Sequence, residues 1–302
     1  MNNGYLAHLF FNNMKKKNKE NIPVQRLLVP GYILQFNQLL TKLSPHLASR
    51  FAARLFLTPF RYKLPEREKK MDNESIQEQI TIPQTHREIV TYKYGESSKR
   101  ILLVHGWSGR GTQLSKIAEA LLENGYSTIS FDAPAHGKAP GSTSMMPYFT
   151  ESIHHLNKFY GPFEAIIGHS LGGMSALKAI SEGASTKKLV LLGTANSITH
   201  ITKEFARNMK MNDKVAGKMK AYLDNKFKQD MDSYSGAVSA EGVTTPTLVI
   251  HDKNDVDVAV SCAYDIDEKL KNSELFITEG LGHRRILGNP EVINKIATFI
   301  TV

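Results

Sequence analysis

A serine sits between glycines in Gly168-His169-Ser170-Leu171-Gly172, where an apolar run, Ala165–Ile167, gives way to a helical pattern. A serine hydroxyl is a weak nucleophile at its own pKa, so chemistry at such a site needs a base that takes the proton as the oxygen attacks. The strand–turn–helix setting suits the task. A tight turn strains the serine backbone and lifts its hydroxyl above the sheet, and the flanking glycines leave room where a β-carbon would strike the next strand or helix. Among the 11 histidines, His283 has the best setting for a base, in Gly280-Leu281-Gly282-His283 just past the last predicted strand. Three aspartates, Asp252, Asp255 and Asp257, follow the strand predicted over Thr247–Ile250, and any of them could fix the tautomer of that base and stabilise the imidazolium. His105 and His136 read as structural, bonding loop backbone near the site. His169 reads as pocket wall. His154-His155 has no nearby carboxylate at metal-ligand spacing, and neither H-x-H-x-D nor H-E-x-x-H occurs, so no metal is expected. There is also no P-loop and no dinucleotide-binding GxGxxG after a strand, so no cofactor is expected.

These residues need elements to hold them. From Arg87 onward short apolar strands alternate with helices. The strands are predicted over Arg87–Tyr94, Arg100–Val104, Ser127–Phe131, Glu164–Ile167, Leu189–Leu192, Thr247–Ile250 and Glu274–Thr278. Several are near-continuous Ile/Leu/Val runs, the pattern of strands buried on both faces of a parallel sheet. Helices are predicted over Leu114–Glu123 and Leu171–Glu182, and a last one follows Asn289-Pro290-Glu291 with Val292, Ile293, Ile296, Phe299 and Ile300 inward. This alternation predicts an α/β fold with a mostly parallel central sheet. The polar, Lys- and Met-rich stretch from about 198 to 234 is longer than a crossover needs and is expected to form a small helical cap over the strand ends. Its Phe205, Met209, Met211, Met219 and Tyr222 are candidate pocket residues, although methionine at helical spacing is more often core.

Residues 1–86 are expected to form a basic N-terminal helical extension to a domain spanning 87–302. Met1–Asn21 reads as frayed. Helices are predicted over Tyr32–Leu43 and from Ser44 to Thr58-Pro59, the second with an apolar stripe of Leu47, Phe51, Leu55 and Phe56 expected to pack on the main domain. Of the net charge of +9, Met1–Lys70 holds 13 Lys+Arg against 3 Asp+Glu, a balance of +10, and the remainder balances at −1. A uniformly basic nucleic-acid binder would not look like this. A basic amphipathic arm at a membrane surface is the sharper alternative to simple packing. No stretch approaches the ~18 apolar residues of a membrane span, and the basic Lys15–Lys17 follow the short apolar run Tyr5–Phe11, where a signal peptide has its charges first. The chain therefore reads as unexported and cytoplasmic, with peripheral membrane contact as the open alternative. One cysteine, Cys262, excludes an intrachain disulfide and a four-cysteine zinc site.

With the serine motif in place, the chain from about Arg87 to the C-terminus resembles the α/β-hydrolases of the serine esterase and lipase type. His105-Gly106-Trp107 is similar to the family's oxyanion-loop motif. Phe131-Asp132-Ala133-Pro134-Ala135-His136-Gly137 is similar to its D-x-P-G-H-G segment, with Ala135 in place of a glycine. His251-Asp252-Lys253-Asn254-Asp255 is similar to its H-G-x-x-D acid loop, with Asp252 replacing glycine. The resemblance implies the α/β-hydrolase fold and a triad in the order Ser170, Asp255, His283, with Asp255 at the family spacing. It further implies an oxyanion hole from the backbone N–H groups of Trp107 and Leu171. The implied reaction is cleavage of a small-molecule carboxylic ester or related acyl substrate through an acyl-enzyme. The same constellation also serves thioester, lactone, amide and C–C bond cleavage, and fold does not choose among them. A membrane-surface lipase or thioesterase docking through the arm, and a non-catalytic ligand-binding homologue, are the alternatives.

Overall fold

The computed structural model describes residues 29–302, so Met1–Asn21 and the Tyr5–Phe11 run lie outside the described residues. Eight strands form one sheet: β1 (Ile76–Ile82), β2 (Arg87–Tyr94), β3 (Arg100–Val104), β4 (Ser127–Asp132), β5 (Phe163–His169), β6 (Thr186–Leu192), β7 (Thr247–Asp252) and β8 (Ser273–Thr278). They lie in the order β1-β2-β4-β3-β5-β6-β7-β8. β1 pairs antiparallel with β2, and β2 with β4; every pair from β4–β3 onward is parallel.

The near-continuous apolar strands follow from burial on both faces. In β3, Leu102 and Val104 point into one core layer and Ile101 and Leu103 into the other. Helices α5 (Met146–Tyr160) and α6 (Leu171–Ser181) cover the first face through Phe149, Ile153, Leu156 and Leu177. Helices α4 (Ser115–Glu123) and α12 (Pro290–Thr301) cover the second through Ile117, Leu121, Val292, Ile296 and Ile300. In α12, Asn289 caps the first turn by accepting the Val292 N–H at 3.1 Å, and Pro290 fits the first helical position, whose N–H would be unpaired anyway.

Two differences from the sequence reading have physical causes. The sheet begins at Ile76, so a boundary between 86 and 87 cuts the β1–β2 hairpin. β1 is an edge strand with one buried residue, Ile82, and its Glu78, Gln79 and Thr81 positions face water. It therefore has no apolar run to betray it. The N-terminal arm, α1 (Gly31–Leu43) and α2 (Pro45–Phe56), packs against the cap helices α7 (Ile198–Asn208) and α8 (Asp213–Phe227). Its buried stripe is not the expected one. Ala48, Ala52 and Ala53 carry the contact, Phe51, Leu55 and Phe56 flank it, and Leu47 is 58% exposed. Alanines let the helix backbones approach, and Phe205, Met209, Met211, Val215 and Met219 of the cap fill the groove they leave. Those three methionines are core of this arm–cap layer. The buried Asn37 side chain joins it, donating to the Met209 carbonyl at 3.0 Å.

Candidate active site

Ser170 stands between the last residue of β5 and the first of α6, with φ 54° and ψ −120°. This left-handed, strained backbone in a residue with a side chain is what the tight strand–helix turn demands, and such strain persists only where its surroundings enforce it. The Ser170 N–H donates to the Leu192 carbonyl at the end of β6, at 2.8 Å. Gly172 lets α6 press on β3: a β-carbon there would lie 2.4 Å from the Val104 and His105 carbonyl oxygens.

Asp255, in the loop after β7, and His283, in the one-turn helix α11 (Gly282–Arg285) after β8, meet at 2.6 Å between Nδ1 and Oδ2. The remaining Asp255 oxygen, Oδ1, accepts the N–H groups of Asp257 at 2.9 Å and Val258 at 2.8 Å. His251 Nε2 lies 3.5 Å from Asp255 Oδ2 and donates to the Val258 carbonyl at 2.9 Å. Burial holds the His251 pKa down, so this ring stays neutral beside the carboxylate. Gly193, the residue after Leu192, runs alongside this pair; a β-carbon there would sit 3.2 Å from His283 Nδ1 and 3.5 Å from Asp255 Oδ2. The end of β6 thus touches both groups, Leu192 at the Ser170 N–H and Gly193 at the His283–Asp255 pair, and the His283 ring packs on His169 with centroids 4.6 Å apart, at the carboxyl edge of the sheet where ligands bind in such folds.

Asp252 has a different task. Its Oδ2 accepts the Thr278 hydroxyl at 2.8 Å and the Leu281 N–H at 2.9 Å, and its Oδ1 accepts the Asn254 N–H at 2.9 Å. Burial opposes its ionisation, but the N–H groups of Gly282, Leu281 and Asn254 and the Thr278 hydroxyl outweigh burial and hold its pKa below the usual aspartate range. It staples the end of β7 to the loop that carries His283. His169 holds the same loop from the other side, donating from Nε2 to the His283 carbonyl at 2.9 Å. Burial drives its pKa well down, so it is neutral and fully committed to that bond.

The loop after β3 runs past the serine. Gly106 is required there: a β-carbon would come within 2.9 Å of His169 Nδ1 and 3.1 Å of Ser170 Cβ. The Gly106–Trp107 backbone therefore passes against Ser170, and Leu171, as first residue of α6, has an N–H with no partner inside the helix. His105 Nδ1 donates to the Gly106 carbonyl at 2.7 Å while Nε2 accepts the Ala133 N–H at 3.1 Å; burial pushes its pKa down to about 4. His136 donates to the Pro134 carbonyl at 3.1 Å, also neutral because of burial. Both bond loop backbone, as the sequence suggested.

Sequence reasoning missed two sets of residues. Buried Asp132 accepts the Gly111 N–H at 2.6 Å, the Lys138 N–H at 2.6 Å and the Tyr92 hydroxyl at 2.8 Å, so it ties the loop after β3 to the loop after β4. The D-x-P motif contained it but gave it no task. The second set lies in the arm. Phe56 stacks on Trp107 at 6.4 Å between ring centroids and meets Phe205 of the cap edge-on at 5.1 Å. The next residue, Leu57, is buried against Met145, Met174, Ile198 and Leu223. The Phe60 N–H donates to Ser108 Oγ at 2.9 Å, and Arg110 donates to the Tyr62 carbonyl with its guanidinium 4.6 Å from the Tyr62 ring. The end of the arm thus grips the loop that passes Ser170. Only the apolar character of Phe56 was visible in the sequence.

The chain resembles known proteins over the same region. Residues 95–236, just under half of the chain, match the family model described as serine aminopeptidase, S33. A serine hydrolase-like protein of Dictyostelium discoideum is 28% identical over 103 residues, which is 32% of this chain and 29% of that protein's length. Among solved structures, an esterase of Pyrococcus furiosus superposes with a TM-score of 0.63 at 21% identity, covering 81% of this chain and 98% of the esterase. The structure of a putative lipase from Acinetobacter baumannii gives 0.58 at 22% identity, with 80% and 97% coverage. The sheet order, the strained turn at Ser170 and these likenesses agree: the chain has the α/β-hydrolase fold.

Proposed function

We propose that the protein is a serine hydrolase that cleaves a carboxylic ester through an acyl-enzyme on Ser170. The observation that carries this reading is the left-handed serine at the head of α6 set against a His283–Asp255 pair hydrogen-bonded at 2.6 Å. In the proposed reaction His283 takes the Ser170 proton through Nε2 as Oγ attacks the ester carbonyl, then returns it to the departing alcohol oxygen. Asp255, receiving Nδ1–H, keeps the imidazole in the tautomer with a free Nε2 and stabilises the imidazolium. The backbone N–H groups of Trp107 and Leu171 receive the negative oxygen of the tetrahedral intermediate; in comparable sites one such donor contributes about 3 kcal/mol. Water then attacks the acyl group, activated by the same histidine, and the acid leaves. Phe56 and Leu57 from the arm and Phe205 from the cap form the apolar side of the pocket in this reading.

The test is a series of p-nitrophenyl esters of increasing chain length, with Ser170→Ala as control. Turnover of one or more of them by the wild type, lost in Ser170→Ala along with labelling by a fluorophosphonate probe, is the expected result. Turnover that persists at wild-type rate in the variant would remove Ser170 from the mechanism.

A further inference from the structure

The arm has two faces, and one of them is turned to water apart from the edge-on contact of Phe36 with Phe51 at 5.4 Å between ring centroids. Tyr32, Phe36, Leu39 and Leu43 recur at i, i+4, i+7 and i+11, which places them on one side of α1. All four are exposed, from 48% at Phe36 to 74% at Leu43, and Leu47 at the start of α2 extends the row. A soluble surface rarely leaves aligned large apolar side chains in water. The charge around them is one-sided. Lys42, Arg50 and Arg54 are exposed on the same two helices, and between Glu20 and Glu66 the chain contains no Asp or Glu at all.

We propose that this face of α1 is a docking surface for an anionic phospholipid bilayer. The helix would lie in the plane of the interface, with Tyr32, Phe36, Leu39 and Leu43 in the boundary between headgroups and acyl chains and the basic residues among the phosphates. Tyrosine and phenylalanine mixed with leucine suit that boundary. A basic residue near an anionic surface strengthens binding about fivefold. The charge pattern favours this occupant over a second copy of the chain, because two such faces would bring like charges together with no carboxylate in the segment to pair them. No helix among the described residues is long and apolar enough to cross a membrane, so the contact would be peripheral. The surface stands independently of any chemistry at Ser170.

Sedimentation with vesicles of phosphatidylcholine alone, and of phosphatidylcholine mixed with phosphatidylglycerol, tests this with the full chain. The wild type should pellet with the anionic vesicles. The triple variant Tyr32→Ser, Leu39→Ser, Leu43→Ser should partition at least about tenfold less, with unchanged circular dichroism and unchanged turnover of a water-soluble short-chain ester. The pair Lys42→Glu, Arg54→Glu keeps every apolar side chain, so it remains informative if the triple variant misfolds; it too should bind anionic vesicles less. The proposal is overturned if the wild type stays in the supernatant, or if the charge variant and a folded triple variant pellet like the wild type. It is also overturned if the binding is lost only in Lys15→Gln, Lys16→Gln, Lys17→Gln, or if the wild type forms a dimer without lipid that the triple variant dissolves. Absence of wild-type ester turnover would count against the reaction proposed for Ser170 and leave the vesicle result intact.

Discussion

Replacing Asp255 and Asp252 separately by asparagine tests the roles proposed for the two carboxylates, Asp255 in the reaction and Asp252 in holding the loop. In Asp255→Asn the atom facing His283 Nδ1 at 2.6 Å is either an amide oxygen without charge or an amide NH2. The Asp257 and Val258 N–H groups demand the oxygen at the Oδ1 position, so the NH2 is driven towards His283. The histidine must then present an unprotonated Nδ1, which puts its proton on Nε2, where it blocks acceptance of the Ser170 proton. A swap of this kind in a serine protease lowers kcat by about 10⁴, equivalent to roughly 5.4 kcal/mol of barrier. We expect a loss approaching that size, with KM little changed. In Asp252→Asn the weakened partners are Thr278, Leu281, Gly282 and Asn254, which hold the loop by backbone and hydroxyl rather than through the His283 side chain. That variant should lose stability, by about 1–3 kcal/mol for an unsatisfied buried donor, and far less kcat. Its acid sensitivity supplies a second readout. Because the folded pKa of Asp252 lies below its unfolded value, the carboxylate stabilises the fold above the ordinary aspartate range, near pH 4, and that contribution is lost as pH falls through the lower folded pKa. The Asn variant should therefore show a shallower loss of melting temperature on acidification. The assay is steady-state kinetics on a p-nitrophenyl ester, with circular dichroism melts across pH. A larger kcat loss in folded Asp252→Asn than in Asp255→Asn would refute the reasoning.

Two further variants test the loop beside the serine. Gly106→Ala inserts a methyl group 3.1 Å from Ser170 Cβ and must push the Gly106–Trp107 backbone away; kcat should fall about 100-fold, as for misplacements near 1 Å, and the overpacking should cost about 1–3 kcal/mol in denaturant unfolding. Phe56→Ala removes the ring between Trp107 and Phe205; being half-buried, it should cost about 2 kcal/mol in denaturant unfolding, and the preference among ester chain lengths should shift. An unaltered chain-length preference would take Phe56 out of the pocket wall.

The parallel strands were legible because each is apolar on two faces, and Ala165–Ile167 followed by Gly-x-Ser-x-Gly has few other foldings. β1 was illegible because an edge strand shows only every other residue to the core, and Ile76, Ile80 and Ile82 amid Gln, Glu and Thr look like a linker. The arm was legible as two helices but not in its contact. A search for large apolar residues passes over Ala48, Ala52 and Ala53, which are buried because they are small. The residues alone left Asp252, Asp255 and Asp257 open, and only the family resemblance ranked Asp255 first; the structure places Asp255 against His283 and Asp252 against backbone. The grip of Phe60 on Ser108 and of Tyr62 on Arg110 joins residues 48 positions apart, with no motif at either end.

The contact between the arm and the cap also bears on the order of folding. Asn37 and Met209 are separated by 172 positions, so their bond closes one of the longest loops in the chain. Closing a loop of that length from a disordered chain costs about 4–5 kcal/mol in chain entropy on length alone, and contacts so remote slow folding when they must form first. Once strands β2 to β6 have assembled, the ends are held near one another and most of that cost has already been met. Docking of the arm therefore carries a smaller entropic cost on an assembled sheet than from a disordered chain. Phe56 braces Trp107 only once the arm is docked, so the order of the loop beside Ser170 depends on a contact closed at long range.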